Sequence, residues 1–74
     1  MVNPAAAKLK AWRMSEDLTQ AEAARRFGVT RMTWFRWESG EIQPRAGMMR
    51  KLCAAIDGLL PNDFFDLQPE RKAA

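Results

Sequence analysis

Histidine is absent from this chain of 74 residues, and cysteine occurs once, at Cys53. Structural zinc sites take about four Cys and His ligands, so zinc fingers are excluded, and no metal is expected. A lone cysteine closes no internal disulfide, which fits a cytosolic setting better than a secreted one. Its place in an apolar helical pattern marks a buried structural thiol rather than a reactive one. Without histidine, a second cysteine or a glycine-rich phosphate loop, the usual parts of a nucleophile, base or metal site are missing, so neither an enzyme nor a cofactor is expected. The longest apolar run falls far short of the ~20 residues a membrane helix needs, and the N-terminal end has no apolar stretch of signal-peptide length. No membrane partner is expected, and the chain is expected to be soluble and to stay in the cytoplasm. Alternating runs of β-branched residues, the signature of strands, are also lacking.

What remains is a chain that is 47% hydrophobic and 28% charged, the balance of a globular protein rather than of a disordered tail. A chain this short makes one domain, 1–74, burying only ~60% of the surface its unfolded form exposes. The ordered core is expected over about residues 5–67, between frayed tails at 1–4 and 68–74. Twelve Lys and Arg against nine Asp and Glu leave a net charge of +3, which favours an anionic partner without naming it.

Good helix formers dominate, and their spacing predicts an all-α bundle of five helices, the last one short. A first helix over about Ala5 to Ser15 places Leu9 and Trp12 inward, with Arg13 at the edge of that face and Lys8 and Lys10 toward water. Thr19-Gln20-Ala21-Glu22 reads as a capping box opening a second helix, whose buried stripe is Ala23, Ala24 and Phe27. Gly28 ends it with a left-handed residue, and Thr30 caps a third helix that Gly40 stops. Trp34 and Trp37 recur three apart and face the core. After a loop through Pro44, a fourth helix from about Arg45 to Asp57 turns Met49, Leu52, Cys53 and Ile56 inward. A last turn carries Phe64, Phe65 and Leu67.

Two helices joined by about three residues cross steeply, which is helix-turn-helix geometry. That crossing requires small residues at the contact, a left-handed turn residue and apolar residues at fixed positions. Ala23, Ala24, Phe27, Gly28, Val29, Trp34 and Trp37 supply them together. With these residues the chain resembles the phage Cro and repressor proteins and their bacterial relatives, the xenobiotic-response-element helix-turn-helix family. Leu9-Lys-Ala-Trp-Arg13 is similar to the family's first helix, Leu18-Thr-Gln20 to the start of its second, and Trp37-Glu-Ser-Gly40 with Pro44 to its usual loop. No gap is needed from Leu9 to Pro44, and the likeness continues more weakly to about Phe65.

The resemblance implies a lambda-repressor-like fold, double-stranded DNA as the partner, and a bacterial or phage-encoded protein associated with the nucleoid. It also implies an ion pair between Arg13 and Glu38. With Trp34 and Trp37 inward, the groove-facing residues are Arg31, Met32, Phe35 and Arg36. Arg31 and Arg36 suit bidentate contacts to guanine O6 and N7. Met32 and Phe35 depart from the polar residues usual in the family and read as contacts to thymine methyls, or, for Phe35, as a packing residue if the third helix is rotated. Thr19, Gln20, Thr30, Thr33, Ser39, Gln43 and Arg45 are expected at the DNA backbone, Gln20 also bracing a recognition residue, while Arg25 and Arg26 form a solvated face.

The expected role is a transcriptional repressor bound to a palindromic operator as a homodimer, since one recognition helix reaches only a few base pairs. Leu59, Leu60, Phe64 and Phe65 are the expected dimer surface, being more apolar than one small core needs. The competing reading is a protein-binding adaptor or antitoxin-like module on the same fold.

Overall fold

The computed structural model describes residues 3–64. It contains helices α1 (Pro4–Ser15), α2 (Gln20–Arg26), α3 (Arg31–Ser39) and α4 (Ala46–Ala55), followed by a 3-10 turn at Pro61–Phe64. The class is all-α, with four α-helices and a closing turn where the sequence pattern suggests five helices. Phe65 and Leu67, placed by the pattern in that last element, lie outside the described residues.

Local chemistry sets the helix starts. Thr19 Oγ1 accepts from the Glu22 backbone N–H at 3.1 Å and the Glu22 carboxylate accepts from the Thr19 N–H at 2.8 Å, a complete capping box. Thr30 Oγ1 accepts from the Thr33 N–H at 3.1 Å to open α3. Of the tail expected at residues 1–4, Met1 and Val2 lie outside the described residues, while Asn3 and Pro4 belong to the start of α1. Asn3 caps α1, its side chain accepting from the Ala6 N–H at 2.9 Å, and Pro4 occupies the first helical position, where its fixed φ is an advantage. Asn3 Nδ2 also donates to the Phe64 carbonyl at 3.0 Å, tying the start of α1 to the closing turn.

The first three helices end in one way. The N–H of Leu18, Val29 and Glu41 bonds back to the carbonyl of Arg13, Ala24 and Arg36 respectively, at 2.9–3.0 Å, across a left-handed residue. That residue is Gly28 (φ 71°) after α2 and Gly40 (φ 79°) after α3, but Asp17 (φ 57°) after α1. A side chain in this backbone region is strained where glycine is not.

The core draws on every element: Ala5 and Leu9 of α1, Ala23 and Ala24 of α2, Trp34 and Trp37 of α3, Leu52 of α4, then Ile56, Leu59 and Phe64. Met49 and Cys53 pack against it half-buried. Burial, then the Asp63 carboxylate, push the Cys53 thiol above its ordinary range, which suits a structural thiol. The alanine pair lets α2 approach α3, and Trp34 fills the space between α1 and the helix-turn-helix unit. Its indole lies 5.7 Å from the Phe27 ring in a stacked pair, 6.0 Å from Trp12 and 5.7 Å from Trp37.

Lys8 does not point freely to water. Its Nζ donates to Asp63 Oδ2 and to the Gly58 carbonyl, both at 2.8 Å, clamping α1 to the C-terminal turn. Asp63 also accepts from the Leu60 backbone N–H at 2.8 Å. This long-range clamp holds the segment between α4 and Phe64 against α1.

The shared helix endings generate a pair of predictions of opposite sign. Asp17→Gly relieves left-handed strain and is expected to raise stability by about 0.5–1 kcal/mol. Gly28→Ala is expected to lower it by about 1 kcal/mol, although no atom stands within 4 Å of an added Cβ. Urea denaturation followed by circular dichroism measures both, and a loss on Asp17→Gly contradicts the assignment of strain.

Candidate nucleic-acid interface

The site is built on one hydrogen-bonded carboxylate. Glu38, in the last turn of α3, accepts from Arg13 Nε at 2.6 Å on Oε2 and from Arg13 Nη2 at 3.3 Å on Oε1. Gln20 Nε2 donates to Oε1 at 3.2 Å, and the Trp34 indole N–H donates to Oε2. Arg13 also donates to the Leu18 carbonyl at 2.9 Å, so it braces the turn between α1 and α2 as well. The Arg13 and Glu38 side chains are 16% and 6% exposed. Burial alone pushes the Glu38 carboxyl upward, but the hydrogen bonds from Arg13, Trp34 and Gln20, with the Arg13 charge, outweigh it and hold the group below its ordinary range. One carboxylate thereby joins α1, α2 and two turns of α3, and fixes the rotation of α3 about its own axis.

That rotation sets what α3 shows to the outside. Trp34 is fully buried and Trp37 is 5% exposed, whereas Met32 is 48% and Phe35 44% exposed. Arg31 and Arg36 are exposed too. Neither arginine enters an ion pair among the described residues. Met32 and Arg36, four residues apart, stand roughly opposite Trp34 on the helix; Arg31 and Phe35, also four apart, flank them. The rotated-helix alternative for Phe35 is therefore not the arrangement found. The helix carries two exposed cations and two apolar side chains on one open face.

On one side of this face a shallow groove is lined by Lys10, Arg13, Gln20, Phe35, Glu38 and Ser39. On the other side, Thr33 and Arg45 share a groove with Val29 and Met48. Thus a cation, Lys10 or Arg45, stands on each flank of α3. Sequence reasoning assigned Lys10 only to solvent. The available signal was its spacing: three residues before Arg13, it lies on the same side of α1 as the group that reaches α3.

Several residues expected at the DNA backbone make hydrogen bonds within the domain. Gln20 bonds Glu38 and so braces the buried carboxylate rather than a recognition residue. Gln43 Nε2 donates to the Phe64 carbonyl, linking the loop after α3 to the closing turn. The hydroxyls of Thr19 and Thr30 serve as helix caps, and Ser39 Oγ donates to the Arg36 carbonyl at 3.0 Å. Thr33 shares a 3.0 Å hydroxyl contact with Thr30. Of that set, Arg45 keeps its charge in solvent without an ion pair among the described residues.

The dimer surface drawn from sequence is corrected in part. Leu59 and Phe64 are each 2% exposed and belong to the core, because the clamp on Asp63 folds the C-terminal turn onto α1 and α4. Leu60 is 59% exposed, and Phe65 lies outside the described residues. Arg25 and Arg26 are exposed, Arg26 standing 3.7 Å from the Glu16 carboxylate.

A family model described as "Helix-turn-helix domain" matches residues 5–58, from α1 through the end of α4 and Gly58. The chain belongs to the helix-turn-helix domain family. This family sits within the xenobiotic-response-element and Cro-like superfamily, whose domains bind DNA and regulate transcription. No curated protein and no solved structure gives a significant match. Among the described residues of this helix-turn-helix domain, no helix is long and apolar enough to cross a membrane, and no group of side chains is arranged to hold a metal ion.

The Glu38 network yields a pH prediction. Because its folded carboxyl lies below the ordinary value of 4.5, the stability it contributes is present above that value and is lost as pH falls through the lower folded one. Glu38→Gln strands the Arg13 guanidinium and is expected to cost about 3 kcal/mol near pH 7. The same substitution flattens the stability profile below pH 4.5. Denaturant midpoints measured from pH 7 down to 3 check both parts; parallel profiles for the two proteins refute the assignment.

Proposed function

We propose that this protein is a sequence-specific double-stranded DNA-binding transcriptional regulator, a repressor that lays α3 in the major groove. The observation carrying the proposal is that α3 buries two indoles while leaving two arginines open to solvent. An arginine fork matches O6 and N7 of guanine, so Arg31 and Arg36 are the base-reading groups, each contributing ~1–3 kcal/mol of discrimination. Met32 and Phe35 meet the apolar parts of the bases. Lys10 and Arg45, on the two flanks, neutralise phosphates and set register without reading sequence. Thr30 and Thr33 stand beside the backbone at the start of α3, and Ser39 at its end.

One recognition helix covers only a few base pairs, so the working form is a homodimer on a palindromic operator, with half-sites ~34 Å apart. Since Leu59 and Phe64 are core residues, the pairing surface centres on Leu60. Such a regulator works in the cytoplasm, on the nucleoid of a bacterium or on phage DNA within it.

A second reading has one observation in its favour. Met32 and Phe35 are apolar and exposed on a helix whose relatives usually present polar groups there, which suits an adaptor or antitoxin-like module docking a protein. The flanking arginines, which enter no ion pair among the described residues, favour DNA.

Selection of bound fragments from random duplex DNA, followed by titration at 50–200 mM salt, tests the proposal. Affinity is expected to fall steeply with salt. Arg36→Ala is expected to relax preference at one position of each half-site. Lys10→Ala and Arg45→Ala are expected to weaken all sequences alike, each reducing the salt slope by about one. Binding to a protein partner with little salt dependence, and to no duplex, would favour the adaptor reading instead.

A further inference from the structure

The two kinds of side chain on the outer face of α3 alternate in a way that bears on which bases they meet. Arg31 has Phe35 one turn further along, and Arg36 has Met32 one turn back, so each exposed arginine has an exposed apolar neighbour four residues away. Neighbours at this spacing have Cβ atoms about 5–6 Å apart. Successive base pairs are stacked ~3.4 Å apart along each strand. A guanidinium bonded to a guanine edge therefore holds its apolar neighbour over an adjoining base pair. The only apolar group any natural base pair offers in the major groove is the C5-methyl of thymine.

The polar alternatives fit less well. Phe35 and Met32 have no hydrogen-bond donor or strong acceptor for an adenine or cytosine edge. Leaving them 44% and 48% exposed in water retains a cost that burial against a methyl group removes. The arginines supply the charge complementarity that commits the face to a polyanion, since neither pairs with a carboxylate among the described residues.

Resting on the duplex-DNA reading and deepening it, we infer that α3 recognises a composite element, a guanine whose adjoining base pair carries a thymine, read as one unit by an arginine and the apolar residue a helical turn away. Two such pairs, Arg31 with Phe35 and Met32 with Arg36, give each half-site two overlapping copies of this element. The methyl group is the determinant at the thymine position, not the A·T pairing edge.

Deoxyuridine isolates that determinant, because it pairs as thymine does and lacks only the methyl. Duplexes enriched from a random library by the full chain are resynthesised with deoxyuridine at each thymine in turn, and affinities are measured at fixed salt. Loss of the methyl beside a contacted guanine is expected to weaken binding about fourfold, the worth of one buried methyl, and elsewhere less than twofold. Replacing that thymine by cytosine and then by 5-methylcytosine is expected to recover a similar factor on methylation. Phe35→Ala, at an exposed position that leaves the core intact, is expected to bring the thymine-to-uracil ratio near one at the step it covers; Met32→Ala does so at the other.

Enriched sites without thymine beside guanine overturn the inference, as does equal affinity for thymine and uracil, while the DNA-binding reading stands. A thymine–uracil difference without the gain from methylcytosine assigns the effect to duplex shape and also overturns it. Enrichment of no duplex sinks the DNA-binding reading itself.

Discussion

Everything the domain presents outward depends on how Trp34 is held. Its indole is the largest fully buried side chain, and its N–H has to find a partner away from water. Glu38, one helical turn later, supplies it, and that carboxylate is tolerable in a half-buried place because Arg13 and Gln20 donate to it as well. A polar network of this kind is costly when incomplete and orienting when complete. Here it converts a packing requirement into an angular one: with Trp34 and Glu38 both directed inward, α3 has only one face left to turn outward.

The same economy closes the chain ends. The Phe64 carbonyl receives Asn3 and Gln43, and Asp63 receives Lys8 and the Leu60 N–H. Those bonds bring the start of α1, the loop after α3 and the C-terminal turn to one end of the molecule. A domain of this size has too small an apolar core to rely on burial alone. It uses part-buried and exposed hydrogen bonds between distant segments to hold Phe64 and Leu59 over that core. Asn3, Lys8 and Gln43 are held within the domain in this way, whereas Lys10, Arg45 and the arginines of α3 stand exposed without an ion pair among the described residues.

The face so exposed combines charge with apolar surface. Charge brings a polyanion to the surface without choosing among sequences, and choice comes from groups that touch base edges. Phe35 and Met32 are the unusual part of the site, since burial against a partner would remove the cost of leaving them in water.

Features decided within a few residues were legible in the sequence: the capping box at Thr19, the cap at Thr30, the stops at Gly28 and Gly40, and the inward spacing of Trp34 and Trp37. They depend on hydrogen bonds and periodicity over one or two turns, which residue types encode directly. Even there the left-handed ending at Asp17 went unread, because glycine was the expected signal. Nothing local announced the contacts of Asn3, Lys8 and Gln43 with residues up to 61 positions away, or that Leu59 and Phe64 lie inside while Leu60 lies outside. A donor's partner across a long loop depends on where packing brings the chain, and an apolar residue near the end of a chain is core or surface according to which segments close over it. The sequence by itself determined helices, turns and the two faces of α3; the tertiary structure alone decided which polar groups remained free on the outer face, because every distant hydrogen bond withdraws one.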